Sequence, residues 1–249
     1  MRNRIDIKEE AKQILRNAHV SPILVTAVIL AVKFVLDSVL NLVNTGYLFP
    51  RYMDAYRYLL SGSYTAILEP VNISAASTFF SVLVSLFTCV LSCGYYIYCM
   101  GIRQGLTMPY SSLLEGLSVA GKIISCYVLM VIKTFLWSML FLIPGIVAAY
   151  RYRFAYYNIL TDPTLTAGDA IRLSCQQTNG IKMELFILDL SFLAWDLLSL
   201  ITVGLLDLWL LPYKILSNLA YFEDAQIRLG RAPYGGATPP PSNSTPWEF

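Results

Sequence analysis

Apolar and polar positions divide this chain into long apolar runs joined by short polar stretches. Within residues 5–18, Ile7, Ala11, Ile14, Leu15 and Ala18 recur at helical spacing, with Arg4, Lys8, Lys12 and Arg16 around them. This pattern predicts an amphipathic helix suited to the headgroup layer on the cytoplasmic side. Pro22–Val43 is long enough, at ~1.5 Å per residue, to cross a ~30 Å hydrocarbon core. Thr78–Met100, Ile123–Ile143, Glu184–Thr202 and Leu205–Glu223 are read as further spans. Ile146–Leu160 is marginal in length, and either crosses with help from its neighbours or re-enters.

Between these runs, residues 44–76 are rich in tyrosine and read as an external loop with interfacial pieces. Ser112-Leu113-Leu114-Glu115 has the form of a capping box opening a short helix over 112–121. Thr166-x-x-Asp169 does the same for a polar helix over 166–178, which Asn179-Gly180 ends. The segment Phe141–Phe192 is read as the centre of the protein. At Pro144-Gly145 an apolar helix is expected to break, because proline removes a backbone donor and glycine frees φ. A short helix carrying Arg151 and Arg153 follows.

The expected architecture is all-α: a polytopic helical membrane bundle of about six spans with a Pro-Gly broken helix and short cytoplasmic amphipathic helices. Residues 1–21 form the N-terminal amphipathic helix, 22–231 the transmembrane domain, and 232–249 a Pro-, Ser- and Gly-rich disordered tail. No cleavable signal is evident, since Asp6, Glu9 and Glu10 precede the first apolar run.

Composition supports lipid as the solvent. The chain is 56% hydrophobic and 14% charged, against roughly a quarter charged in soluble domains. A net charge of +2 excludes nucleic acid as an expected partner. Basic residues matter by position instead. With an internal N-terminus and six crossings, Arg2, Arg4, Lys8, Lys12, Arg16, Arg103, Lys122, Arg172, Lys182, Arg228 and Arg231 lie inside, and only Arg51 and Arg57 outside. Both termini are therefore expected in the cytoplasm.

Cys89, Cys93, Cys99, Cys126 and Cys175 include no C-x-x-C pair, and His19 is the sole histidine. The cysteines are read as packing residues and His19, beside an interface, is given no catalytic role, with no metal or cofactor expected. No H-E-x-x-H, G-x-S-x-G or phosphate-cradling glycine loop is present, so no enzymatic activity is expected.

The candidate chemistry lies in charges among the apolar runs: Lys33, Asp37, Lys133, Arg151, Arg153, Asp189, Asp196, Asp207 and Lys214. Each costs a few kcal/mol at the bilayer centre, so five bases near four acids imply mutual pairing inside a bundle. Lys33 and Asp37 are one turn apart. Counted back from Gly204, Lys214 lies ~15 Å deep, between Asp196 at ~12 Å and Asp189 at ~22 Å. Asp196 is the expected partner of Lys214. A structural ion-pair lattice is favoured over a transport pathway.

The chain also resembles domain-of-unknown-function family 975, multi-pass membrane proteins of mainly Gram-positive bacteria. The likeness rests on Ala11-x-x-x-Leu15, Ile143-Pro144-Gly145-Ile146, Ala155-x-Tyr157 before Asp162-Pro163, and Ala170-Ile171-x-x-Ser174. It continues through Gly180-x-Lys182, Phe186-x-Leu188-x-Leu190-Ser191-Phe192 and Trp209-x-x-Pro212-Tyr213, and so covers most of the chain outside the tail. Gln177-Thr178-Asn179 stands where the family usually has methionines, and Arg151 where a small residue is common. The resemblance implies a bacterial cell-membrane location and no assigned activity. The functional expectation is a non-enzymatic binding or scaffolding component in the lipid bilayer, with a membrane or cytoplasmic protein partner or a homo-oligomer. The alternative is a component of a transporter or exporter for an anionic or amphiphilic substrate.

Overall fold

A computed structural model describes residues 2–18, 21–45, 75–202 and 204–231. The readings made for His19, for most of 44–76 and for the tail fall outside the described residues. Those described are all-helical: α1 (Arg4–Asn17), α2 (Pro22–Thr45), α3 (Ala75–Arg103), a 3-10 helix (Tyr110–Val119), α4 (Ala120–Leu140), α5 (Leu142–Arg151), α6 (Ala155–Thr161), α7 (Ala167–Gln177), α8 (Lys182–Ile201) and α9 (Asp207–Arg228).

Side-chain contacts give the directions of the helices. Thr26 meets Tyr95 while Asp37 shares a cleft with Ser81 and Ser85, so α2 and α3 are antiparallel. Ile123 packs with Val90 and Cys93 while Tyr127 reaches Ser85, which sets α4 against α3. From the turn at Phe141, Gly145 packs on Ser138, Ala155 and Ile159 on Cys126, and Lys122 donates to the Pro163 carbonyl. Thus α5 and α6 together retrace the length of α4. Asp196 with Lys214, and Phe192 with Tyr213, close an α8–α9 hairpin at Gly204, whose φ is +79°.

Three helical stretches are long and apolar enough to cross a membrane: Pro22–Leu42, Thr78–Arg103 and Tyr110–Leu140. Most of their surface faces outward rather than into the protein. On α3 the exposed large side chains are Phe79, Val82, Leu83 and Phe87, whereas Tyr95, Tyr98, Cys99 and Met100 are buried. On α4 they run from Val128 to Leu140, and on α8 they extend to Ile201. One end of the bundle is therefore an apolar rod surface, and the other is a packed, charge-tied head.

Much of the core is built on one helix, α9, which lies C-terminal to the Phe141–Phe192 segment expected from sequence to be the centre. It packs against α1, α2, α3, α7 and α8, burying Leu216, Leu219, Phe222 and Ala225. Its five charged residues, Asp207, Lys214, Glu223, Asp224 and Arg228, hid this role, because a helix surrounded by protein does not need a uniformly apolar surface.

Three local readings are corrected. The break after α4 falls at Phe141, whose backbone is extended (φ −161°, ψ 152°), and Pro144 and Gly145 sit inside the first turns of α5. Proline fits there because the first turn has no intrahelical acceptor for its missing N–H. The segment 146–160 is not one helix: turns at Tyr152–Phe154 separate α5 from α6. Ser112 does not cap a helix either. The 3-10 helix starts two residues earlier after Pro109, and the Ser112 hydroxyl donates 2.7 Å to the Pro109 carbonyl. Close backbone packing favours the tighter helix, since a Cβ on Gly94 would lie 1.9 Å from the Leu113 carbonyl oxygen.

Thr166 does cap α7, its hydroxyl accepting from the Asp169 N–H at 3.2 Å. The apolar face of α1 turns to protein rather than to headgroups: Ile7 and Ala11 are fully buried in the core shared with α9.

Candidate functional site

Of the nine charged residues singled out in sequence, four form two ion pairs. Arg153 follows α5, and its guanidinium donates to both carboxylate oxygens of Asp189 on α8, at 2.6 and 2.7 Å. The Tyr150 hydroxyl adds a third bond to Asp189 at 2.8 Å, and the Tyr150 ring lies edge-on to Phe186. The fork geometry matches a planar guanidinium to a carboxylate, which a lysine would not reproduce. One helical heptad further along α8, Asp196 accepts from Lys214 of α9. Between these pairs lies the buried ring of Phe192, with the Lys214 ammonium 5.7 Å from its centroid and that of Lys8 at 4.3 Å. Burial lowers the Lys8 pKa from its ordinary value, and Arg4 and Lys12 add to the effect.

The other five are not brought together. Lys33 and Asp37 do not reach ion-pair distance of each other, and Lys133, Arg151 and Asp207 form no ion pair among the described residues. Arg151 contributes its backbone instead: its carbonyl accepts from Ser174 at 2.8 Å. A nine-membered lattice thus reduces to two pairs. Spacing along one helix sets depth, but the facing residue depends on helix rotation, which periodicity in these uniformly apolar runs does not define.

Two polar assemblies were missed in sequence. At the packed end, Arg103, with a side chain 4% exposed, donates to Glu223 at 2.7 Å and to Glu10 at 3.0 Å. Arg2 donates to Glu10 at 2.9 Å and to Asp224 at 2.8 Å, tying α1 to α9. Arg103 ends the second apolar run and reads there only as a topology signal. Below it, Asn158 and Gln177 exchange reciprocal amide bonds at 2.9 and 2.8 Å, both fully or nearly fully buried. Asn158 also donates to the Ala170 carbonyl, and the Ser174 hydroxyl accepts from the Phe154 N–H. These bonds satisfy groups that would be costly unpaired in a low-dielectric interior.

No group of three His, Cys, Asp or Glu side chains that could hold a metal ion occurs among the described residues.

The fold and its charges define an all-α protein with three helices able to cross a membrane. Residues 139–228, from the end of α4 through α9, match the protein family described as protein of unknown function (DUF975). The matched stretch contains both ion pairs and the Asn158–Gln177 lock, while α1 to α3 lie outside it. No curated protein and no solved structure matches the chain.

Proposed function

We propose that this is a multi-pass protein of a bacterial cell membrane, with both termini cytoplasmic, serving as a non-enzymatic binding or scaffolding component. The antiparallel order supports six crossings: α2, α3, α4, α5 with α6, α8 and α9. The observation that carries the scaffolding reading is the use of charge: Arg153–Asp189 and Asp196–Lys214 neutralise each other between helices. Charges neutralised pairwise between helices hold those helices in register.

A binding surface lies on the packed end, where Leu106, Tyr110, Leu114 and Leu117 are exposed on and beside the 3-10 helix. A membrane or cytoplasmic protein, or a second copy of the chain, would cover it. Affinity capture from native membranes tests this. A stoichiometric partner, or self-association, that is lost with Leu114→Glu supports scaffolding. A lone monomer for both wild type and variant counts against it.

The alternative is a transporter or exporter component for an anionic or amphiphilic substrate. It is favoured by Arg151, whose guanidinium has no carboxylate within ion-pair distance among the described residues. Proteoliposome flux of an anionic amphiphile that disappears with Arg151→Ala would support that reading.

A further inference from the structure

A cleft of about 440 Å³ opens between α2, α3, α4 and α6, within the apolar half of the bundle. One wall is the face of α3 that presents Ser85, Thr88 and Ser92. Their spacing of three and four residues keeps them on one side of a helix. Asp37 on α2 faces this wall, and Tyr96 of α3, Tyr127 of α4 and Tyr156 of α6 line the cleft together with the apolar Leu40 and Val84. Such polar lining is out of place in helical stretches whose mean hydropathy is 1.8 to 2.4. Packing alone would be served as well by alanine or leucine.

The lining has a defined chemical character. Asp37 is the one Asp, Glu, Lys or Arg among the cleft residues. Lys33, one turn earlier, does not line the cleft; it feels the Asp37 charge from beyond ion-pair distance. The tyrosine rings supply π faces, and the Tyr127 hydroxyl is held 3.1 Å from Ser85. The Tyr156 hydroxyl accepts a 3.5 Å contact from the Cys89 thiol. A cation lodged in the cleft would meet the Asp37 carboxylate by ion pairing and the tyrosine rings by their quadrupole. Hydroxyl oxygens accept the N–H donors of an amine. The volume is in the range of small-molecule sites, ~300–1,000 Å³.

We propose that this cleft is a binding site for a small organic cation, an amine with an apolar body, with Asp37 as its counter-ion. The site is separate from the ion pairs on α8 and α9, and does not depend on the scaffolding reading.

The test uses three probes sharing one ring: benzylamine, benzyl alcohol and benzoate. Each is titrated against the full chain in phosphatidylcholine nanodiscs at pH 7, with calorimetry as the readout. Saturable benzylamine binding is expected, at least tenfold tighter than benzyl alcohol, with no benzoate binding. Asp37→Asn should lose tenfold or more for benzylamine and leave benzyl alcohol unchanged, while Asp207→Asn should change neither. Equal binding of amine and alcohol by the wild-type protein overturns the proposal without any variant. So does unaltered benzylamine affinity in a folded Asp37→Asn protein, or no saturable benzylamine binding at all.

Discussion

The Arg153 guanidinium grips the Asp189 carboxylate through two parallel bonds of 2.6 and 2.7 Å, joining the α5–α6 junction to α8. Asp189 keeps 40% of its side-chain surface exposed and Arg153 22%. A fully buried pair broken on one side costs about 3–5 kcal/mol, and this exposure reduces the figure to about 2 kcal/mol. Asp189→Asn and Arg153→Leu should each lower stability by that amount in a detergent unfolding titration. Arg153→Lys should recover less than half of the loss, because an ammonium cannot make the fork.

Asp196 and Lys214 behave as a unit on the α8–α9 hairpin. Asp196→Ala should destabilise by about 1–3 kcal/mol, and Asp196→Ala with Lys214→Ala should recover most of it, since the second change removes the stranded charge. A double variant as unstable as the single one would show that the two do not depend on each other.

Gly94 and Gly116 let α3 and the 3-10 helix meet backbone to backbone. A Cβ at Gly94 would fall 1.9 Å from the Leu113 carbonyl oxygen, and one at Gly116 would fall 2.7 Å from that of Val90. Gly94→Ala should therefore cost about 3 kcal/mol or more through forced separation of the two elements. Gly121, with open space around it, should instead tolerate alanine or gain about 0.4–1 kcal/mol. Thermal unfolding of both variants checks the contrast.

Asp162 gives a pH signature outside the membrane segments. The Thr164 hydroxyl and N–H both donate to its carboxylate and hold its pKa below the ordinary 3.8. A carboxyl lowered in the fold stabilises it above the unfolded pKa, and that contribution is lost as pH falls through the lowered folded value. Carboxyl carbon NMR should show Asp162 titrating on the acid side of 3.8, and Thr164→Val should move it upward. A titration unmoved by that substitution would contradict the assignment.

What was legible from sequence divides along physical lines. Apolar runs long enough to cross a bilayer are set by composition, so α2, α3 and α4 were readable from Pro22, Thr78 and Ile123 onward. The pairing of Lys214 with Asp196 was readable from depth, because a tight hairpin at Gly204 fixes the register of its two arms. Arg153 with Asp189 was not. Their elements are separated by α6 and α7, and the intervening turns at Tyr152–Phe154 carry no glycine or proline to mark them. The docking of α1 on α9 was equally hidden, since an amphipathic stripe does not say whether lipid or protein covers it. Glu10, Glu223 and Asp224 acquire meaning only once Arg2 and Arg103 lie beside them.

The proposed topology puts the charge-tied head on the cytoplasmic side of the membrane and the Gly204 turn on the other. Single cysteines at Ser118 and Leu205, in a chain whose natural cysteines are replaced by alanine, report this through a membrane-impermeant thiol reagent. Leu205→Cys should be labelled in intact cells, and Ser118→Cys only in inverted vesicles. Labelling of both positions from the same side, or release of the chain from membranes by alkaline carbonate, would contradict it.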